Sequence, residues 1–124
     1  MSADSPTVLL RLDELDDPGS RGLVVRLAGR DHDVFVVRSG NTARAYLNSC
    51  PHTGAPLDWQ PDRFLSPDQR HIQCAMHAAL FRIHDGVCVA GPCAGEALVM
   101  LPTAIEDGAL VCYPERFRMP GGRR

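Results

Sequence analysis

Two short motifs hold the side chains of this 124-residue chain best suited to chemistry: Cys50-Pro51-His52 and Cys74-Ala75-Met76-His77. Each pairs one thiol with one imidazole, and residues 53–73 lie between them. Thiolates and neutral imidazoles are both good ligands for transition metals. Each motif falls where a strand-like run meets a loop. Two hairpin-like loops that face each other would therefore gather two Cys and two His around one inorganic centre. Zinc accepts that donor set, but common zinc fingers place two Cys in one knuckle and two His on a helix. Mixed Cys/His pairs in loops without a helix pattern are unusual for zinc fingers, and an iron–sulfur centre is the other candidate. The chain has five cysteines. A disulfide framework calls for even pairing and an oxidising compartment, so metal ligation is the first reading for at least some of these thiols.

The ligand types set the redox chemistry. A [2Fe–2S] cluster held by four thiolates carries two negative charges when both irons are ferric. Replacing two thiolates with neutral imidazoles makes the oxidised cluster formally neutral, and a neutral centre accepts an electron more easily than a dianion. Such clusters sit at about −150 to +300 mV, against about −400 mV for four-Cys plant-type ferredoxins.

The run Cys50-Pro51-His52-Thr53-Gly54-Ala55-Pro56-Leu57, followed by Cys74-Ala75-Met76-His77 and Phe81, resembles the Rieske iron–sulfur family. The family pattern is C-x-H-x-G in one loop and C-x-x-H in the second. Asp85-Gly86 and Gly91-Pro92 match the turn and the proline-containing loop that follow, and the close resemblance spans roughly residues 48–95. It implies an antiparallel β fold with one [2Fe–2S] cluster per chain near the surface at one tip. It also implies that Cys50 and Cys74 ligate the buried iron, that His52 and His77 ligate the exposed iron, and that Gly54 lets the backbone pass close to the cluster. Departures narrow the branch. Respiratory Rieske subunits carry an extra Cys in each loop, forming a disulfide, where this chain has Ala55 and Met76. The Ser that bonds a bridging sulfide in high-potential members is absent, since Ala79 and Leu80 have no hydroxyl. Fewer hydrogen bonds to the cluster mean a less stabilised reduced state, so the low end of the Rieske range is expected, as in ferredoxins and oxygenases. Ala78 stands where most members have Gly, and Met76 where many ferredoxins have Trp. Reduction adds negative charge and raises the pKa of a titrating imidazole ligand, so the potential should fall as pH rises through that range.

The other reactive side chains read as structural. Cys88 and Cys112 lie in apolar runs and fit buried core thiols. Cys93 follows Gly91-Pro92 in the loop expected to cover the cluster, where it could touch the site without ligating it. His71 reads as an ordinary strand histidine, and His32 and His84, beside Asp31, Asp33 and Asp85, as solvated. Asp13, Glu14, Asp16 and Asp17 read as a solvated turn, with a steering patch for a basic reductase as the lesser alternative. No Lys-Ser/Thr follows the glycines of Gly91-Pro92-Cys93-Ala94-Gly95, so they do not form a phosphate loop.

The elements that must position the motifs read as β throughout. Short apolar runs recur at Val8–Leu12, Leu23–Leu27, Val34–Val37, Ala43–Leu47, His71–Cys74, Leu80–Ile83, Val87–Val89, Ala97–Leu101 and Ala109–Tyr113. Turn signals separate them: Pro18-Gly19, Gly29-Arg30-Asp31, Ser39-Gly40-Asn41, Asp85-Gly86 and Asp107-Gly108. No stretch holds a 3.6-residue apolar period over three turns. The expected fold is an all-β antiparallel sandwich or barrel. Residues 49–70 break the rhythm, but Leu57, Trp59, Phe64 and Leu65 argue that this segment packs.

The length fits one domain: a base of residues 7–48 and 96–118, a two-loop cluster-binding subdomain over 49–95, and a mobile tail at 119–124. A net charge of −2 argues against a broad nucleic-acid footprint. No apolar run is long enough to span a bilayer, and the N-terminus lacks the features of a signal peptide. A cytoplasmic chain without a catalytic domain of its own is expected, acting as a monomeric one-electron carrier between a reductase and an oxygenase or related acceptor. A small subunit of a larger oxidoreductase, as in nitrite reductases, and a zinc-stabilised or redox-sensing module are the alternatives.

Overall fold

The computed structural model describes residues 6–27, 29–49, 51, 56–58, 62–74, 79–91 and 94–117. The described residues form nine strands in three antiparallel three-stranded sheets. Strands β1 (Thr7–Arg11), β9 (Ala109–Cys112) and β8 (Thr103–Glu106) make the first sheet, in that order. Strands β2 (Gly19–Leu27), β3 (Arg30–Ser39) and β4 (Thr42–Leu47) make the second. Strands β5 (His71–Gln73), β6 (Leu80–Arg82) and β7 (Cys88–Ala90) make the third. The only helical pieces among the described residues are two 3-10 turns, Leu12–Glu14 and Pro114–Arg116. No helix there is long and apolar enough to cross a membrane.

The middle sheet explains the densest apolar run in the sequence. Val34, Phe35, Val36 and Val37 are all buried, so β3 shows no polar–apolar alternation. Successive side chains on a strand point to opposite faces, and both faces here meet a core. Val34 and Val36 pack with Leu10, Val25, Leu27, Leu110 and Cys112 against the first sheet. Phe35 and Val37 pack with Leu57, Phe64, Ile72, Phe81 and Cys88 on the other side, next to the third sheet. β4 divides likewise: Ala43, Ala45 and Leu47 join the first core, and Tyr46 joins the second. The Tyr46 hydroxyl donates to the Ile83 carbonyl at 2.7 Å, tying β4 to the end of β6.

Most sequence-predicted runs become strands, with β2 and β3 extending beyond theirs. Ala97–Leu101 does not. Its backbone bonds are split between two sheets: Ala97 bridges Val87, and Met100 bridges Tyr46. The Leu98 N–H donates to Gly86 and the Leu101 N–H to Ala45. A segment divided between two edges has no continuous ladder. Thr103–Glu106 is a strand that the apolar pattern missed. It is the largely exposed edge of its sheet, paired with β9 through the Asp107-Gly108 turn. Pro18-Gly19 lies between β1 and β2 as expected, with Pro18 in the bend and Gly19 already the first residue of β2.

The segment that looked irregular packs as expected where it is described. Leu57 and Phe64 are fully buried, Leu65 nearly so, and Trp59 lies outside the described residues. The Phe64 ring stacks on Phe35 with centroids 4.4 Å apart. Such pairs add about 0.5–1.5 kcal/mol beyond burial. The Asp62 carboxylate accepts the Gly22 N–H at 2.7 Å, and the Ser20 hydroxyl donates to the Asp62 carbonyl at 2.6 Å, so the segment is fastened along β2. Leu65 then bridges Ile72 of β5. The acidic N-terminal stretch is more than a solvated turn: Asp17 accepts the Gly40 N–H at 2.7 Å, and Glu14 pairs with Arg21 at 3.3 Å. The tail expected at 119–124 lies outside the described residues.

Candidate metal centre

The β5–β6 hairpin carries the second motif. Its register pairs His71 with Arg82, Ile72 with Phe81, and Gln73 with Leu80. Ile72 and Phe81 point into the core and are fully buried. One position further on, the Cys74 N–H donates to the Ala79 carbonyl at 2.9 Å. This bond closes the neck of the loop that contains Ala75, Met76, His77 and Ala78. Cys74 itself is fully buried and belongs to the same core as Phe35, Leu57 and Phe64. Its thiol is therefore screened from water on the protein side.

Of the four sequence-predicted ligands, Cys74 is described, and Cys50, His52 and His77 lie outside the described residues. Gly54, Ala55, Met76, Ala78 and Cys93 lie outside them too. The flanks of the first motif are described. β4 ends at Leu47, whose N–H donates to Val99, and the Asn48 N–H donates to Asp33 at 2.9 Å. The Ser49 N–H turns back to the Leu47 carbonyl at 2.9 Å. On the far side of the motif the Leu57 N–H donates to Asn48 Oδ1 at 2.7 Å, and Asn48 Nδ2 donates to Asp58 Oδ1 at 3.2 Å. Each motif thus sits next to a loop neck closed by hydrogen bonds, and Leu57 and Cys74, one from each neck, share a core.

A third segment closes on the second neck. β7 ends at Ala90, paired with Leu80, and Gly91 follows with φ +99°. A Cβ on Gly91 would lie 2.8 Å from Ala79 Cα and 3.0 Å from its Cβ, closer than real side chains approach. Only glycine fits, and the chain leaves this contact directly into Pro92-Cys93.

The remaining reactive groups sit where the sequence put them, with some added partners. Cys88 and Cys112 are buried, and the Cys88 thiol donates to the Ala90 carbonyl at 3.1 Å. Burial pushes the Cys112 thiol above its ordinary pKa and the Tyr46 phenol well above its own. His84 is exposed and lies 3.5 Å from Asp85. His32 is less solvated than expected, with its ring 6.0 Å from that of Phe117. At the β6–β7 turn, hydrogen bonds from the Arg82 guanidinium and the Val87 N–H hold the Asp85 carboxyl down to about 2. Sequence reasoning missed Asn48, and it singled out Gly91-Pro92 without its contact with Ala79. For Asn48 the available signal was an Asx two residues before a ligand motif.

The donor chemistry and the buried, backbone-tethered thiol of Cys74 fit an iron–sulfur cluster. No curated protein sequence matches the chain. Among solved structures it is similar to the ferredoxin of carbazole 1,9a-dioxygenase from Nocardioides aromaticivorans IC177, at 24% identity and TM-score 0.67, covering 88% of this chain and 97% of that one. It is also similar to a chain in the complex of reduced oxygenase and oxidized ferredoxin in carbazole 1,9a-dioxygenase, at 19% identity and TM-score 0.70, covering 94% and 99%. A longer chain in the reduced complex between oxygenase and ferredoxin in carbazole 1,9a-dioxygenase matches at 19% and TM-score 0.68, covering 90% of this chain and 28% of that one. These likenesses show the fold. Residues 5–114 match the Rieske [2Fe–2S] domain, and the chain belongs to that family, whose cofactor is a [2Fe–2S] cluster.

Proposed function

We propose that the chain is a Rieske-type ferredoxin, a one-electron carrier between a reductase and a terminal oxygenase or related acceptor, with Cys50, His52, Cys74 and His77 as the cluster ligands. The observation that carries this reading is Cys74, buried in the core and hydrogen-bonded through its N–H at the neck of the second ligand loop. When bound, the cluster supplies a one-electron couple. The protein's own contribution is to hold Cys74 on a rigid hairpin, screen it from water with Leu57, Phe64 and Phe81, and seat Gly91 against Ala79. Residues 49–95 would form the cluster-binding part, and 7–48 with 96–118 the base. The near end-to-end match with the carbazole dioxygenase ferredoxin supports a carrier that works with separate partners and performs no bond chemistry of its own. A monomer in a reducing compartment such as the cytoplasm fits an odd count of five cysteines, some of them serving as cluster ligands.

The test is metal and sulfide analysis of the purified protein with low-temperature EPR after dithionite reduction. Two irons and two sulfides per chain with a Rieske spectrum are expected, and Cys74→Ser should lose them. Zinc in place of iron, or a Ser variant with an unchanged spectrum, would refute the assignment. Size-exclusion chromatography separates a monomeric carrier from a subunit held in a stoichiometric complex.

A further inference from the structure

We propose that Asn48 is a positioning residue for the first ligand loop: its side-chain amide spans the loop's neck, accepting the Leu57 N–H and donating to the Asp58 carboxylate. The inference rests on Cys50 and His52 being ligands. Both lie between the two ends of this clasp in sequence, two and four residues after Asn48.

The geometry fixes which way the amide points. A backbone N–H must meet an oxygen, and a carboxylate oxygen must meet a donor. Oδ1 toward Leu57 at 2.7 Å and Nδ2 toward Asp58 at 3.2 Å satisfy both, and the flipped amide satisfies neither. Each end of the clasp is itself anchored. Asn48 is held by its own N–H to Asp33 of β3. Leu57 is fully buried, in the same core as Phe64, Ile72 and Phe81. The loop therefore leaves and rejoins the protein through two fixed points joined by one side chain.

The second loop is closed differently, by the backbone bond from Cys74 to Ala79 that continues the hairpin ladder. No strand pairing between residues 48 and 57 is described that would do the same for the first loop. A side chain performs there the task that a ladder performs at the other neck. Groups that orient ligands from outside typically change metal affinity about tenfold or more when removed.

An exchange of partners tests the clasp. Asn48→Asp keeps the oxygen for the Leu57 N–H but sets a carboxylate against Asp58. Asp58→Asn alone leaves a neutral acceptor for Asn48 Nδ2. The double variant Asn48→Asp/Asp58→Asn restores one donor and one acceptor with the roles reversed. The readouts on holoprotein are the rate of colour loss in excess EDTA, the visible circular dichroism of the cluster and the reduction potential. The N48D variant should lose colour about tenfold faster than wild type, with altered dichroism. D58N should stay within about threefold, and the double variant should return to within about threefold of wild type with wild-type dichroism. Loss at the wild-type rate in N48D, or a double variant no better than N48D, overturns the clasp. If N48D yields no holoprotein, the double variant alone decides: a stable wild-type-like cluster supports the clasp and its absence overturns it. A wild-type protein without iron and sulfide overturns the ferredoxin reading first, and the clasp with it; a wild-type cluster indifferent to both substitutions overturns the clasp alone.

Discussion

Gly91→Ala should destabilise the protein far more than the same change at Gly95. Both glycines occupy the left-handed region, with φ +99° and +93°. They differ in surroundings: the Gly95 Cβ position is open, whereas that of Gly91 lies 2.8 Å from Ala79 Cα and 3.0 Å from its Cβ. Forcing alanine into this backbone region costs about 1–3 kcal/mol at either site. The smaller entropy of the unfolded alanine chain offsets about 0.4–1 kcal/mol of that. Only at Gly91 does the neighbour also have to move. Ala79 is buried and its carbonyl is committed to Cys74, so the shift costs about 1–3 kcal/mol more, as in other overpacked sites. The net expectation is about 1 kcal/mol for Gly95→Ala and about 3 kcal/mol for Gly91→Ala. At roughly 3–5 °C per kcal/mol for a domain of this size, the Gly91 variant should melt about 10 °C below wild type. Parallel far-UV melts of the holoproteins at one scan rate make the comparison, with visible dichroism reporting the cluster. Equal losses at the two positions would refute the close approach of Gly91 to the neck.

Removing the Tyr46 hydroxyl leaves the buried Ile83 carbonyl without its described donor, so Tyr46→Phe should cost about 1–2 kcal/mol in chemical denaturation. A variant as stable as wild type would show that this bond does not join β4 to β6. Asp85 is held at about 2, below the ordinary carboxylate value, by Arg82 and the Val87 N–H. A depressed folded-state pKa contributes stability above the unfolded value, near about 4, and that contribution fades as pH falls toward 2. Wild type should therefore melt above Asp85→Asn at pH 5–7, with the gap closing between about pH 4 and 2, and a pH-independent gap would exclude the linkage. Cys88→Ala should keep the visible and EPR spectra of the cluster unchanged, because Cys88 packs in the core and its thiol donates to Ala90. Loss of iron and sulfide from a folded variant would contradict that.

The sequence announced its hairpins where the turn chemistry is local. Asp107-Gly108 and Ser39-Gly40-Asn41 each join paired strands. It announced β3 as a strand through the apolar run Val34–Val37. It could not reveal that those residues serve two cores, because that depends on which sheets cover each face. The error at Ala97–Leu101 has the same origin. Its apolar pattern is that of a strand, but its partners are Val87, just before β7, and Tyr46 in β4, which lie in different parts of the fold. The miss at Thr103–Glu106 is the reverse case: an exposed edge strand needs few apolar residues to be held by its neighbour.

The candidate site divides along the same line. Ligand identity is a matter of residue type and short spacing, so Cys50, His52, Cys74 and His77 could be proposed as ligands from the two motifs and the resemblance they carry. What holds the loops is a matter of long-range placement. Asn48 meets Leu57 only because β4 delivers one and the second core anchors the other. Gly91 meets Ala79 only because β7 pairs with β6 in this register. Both contacts trace back to the β2–β3–β4 sheet, whose Phe35 and Tyr46 pack under Leu57, Phe64 and Phe81. The necks that flank the proposed ligand loops thus lean on a sheet that carries none of the four proposed ligands. A motif search that stops at the Cys and His residues identifies the chemistry while leaving out the residues that keep it in place.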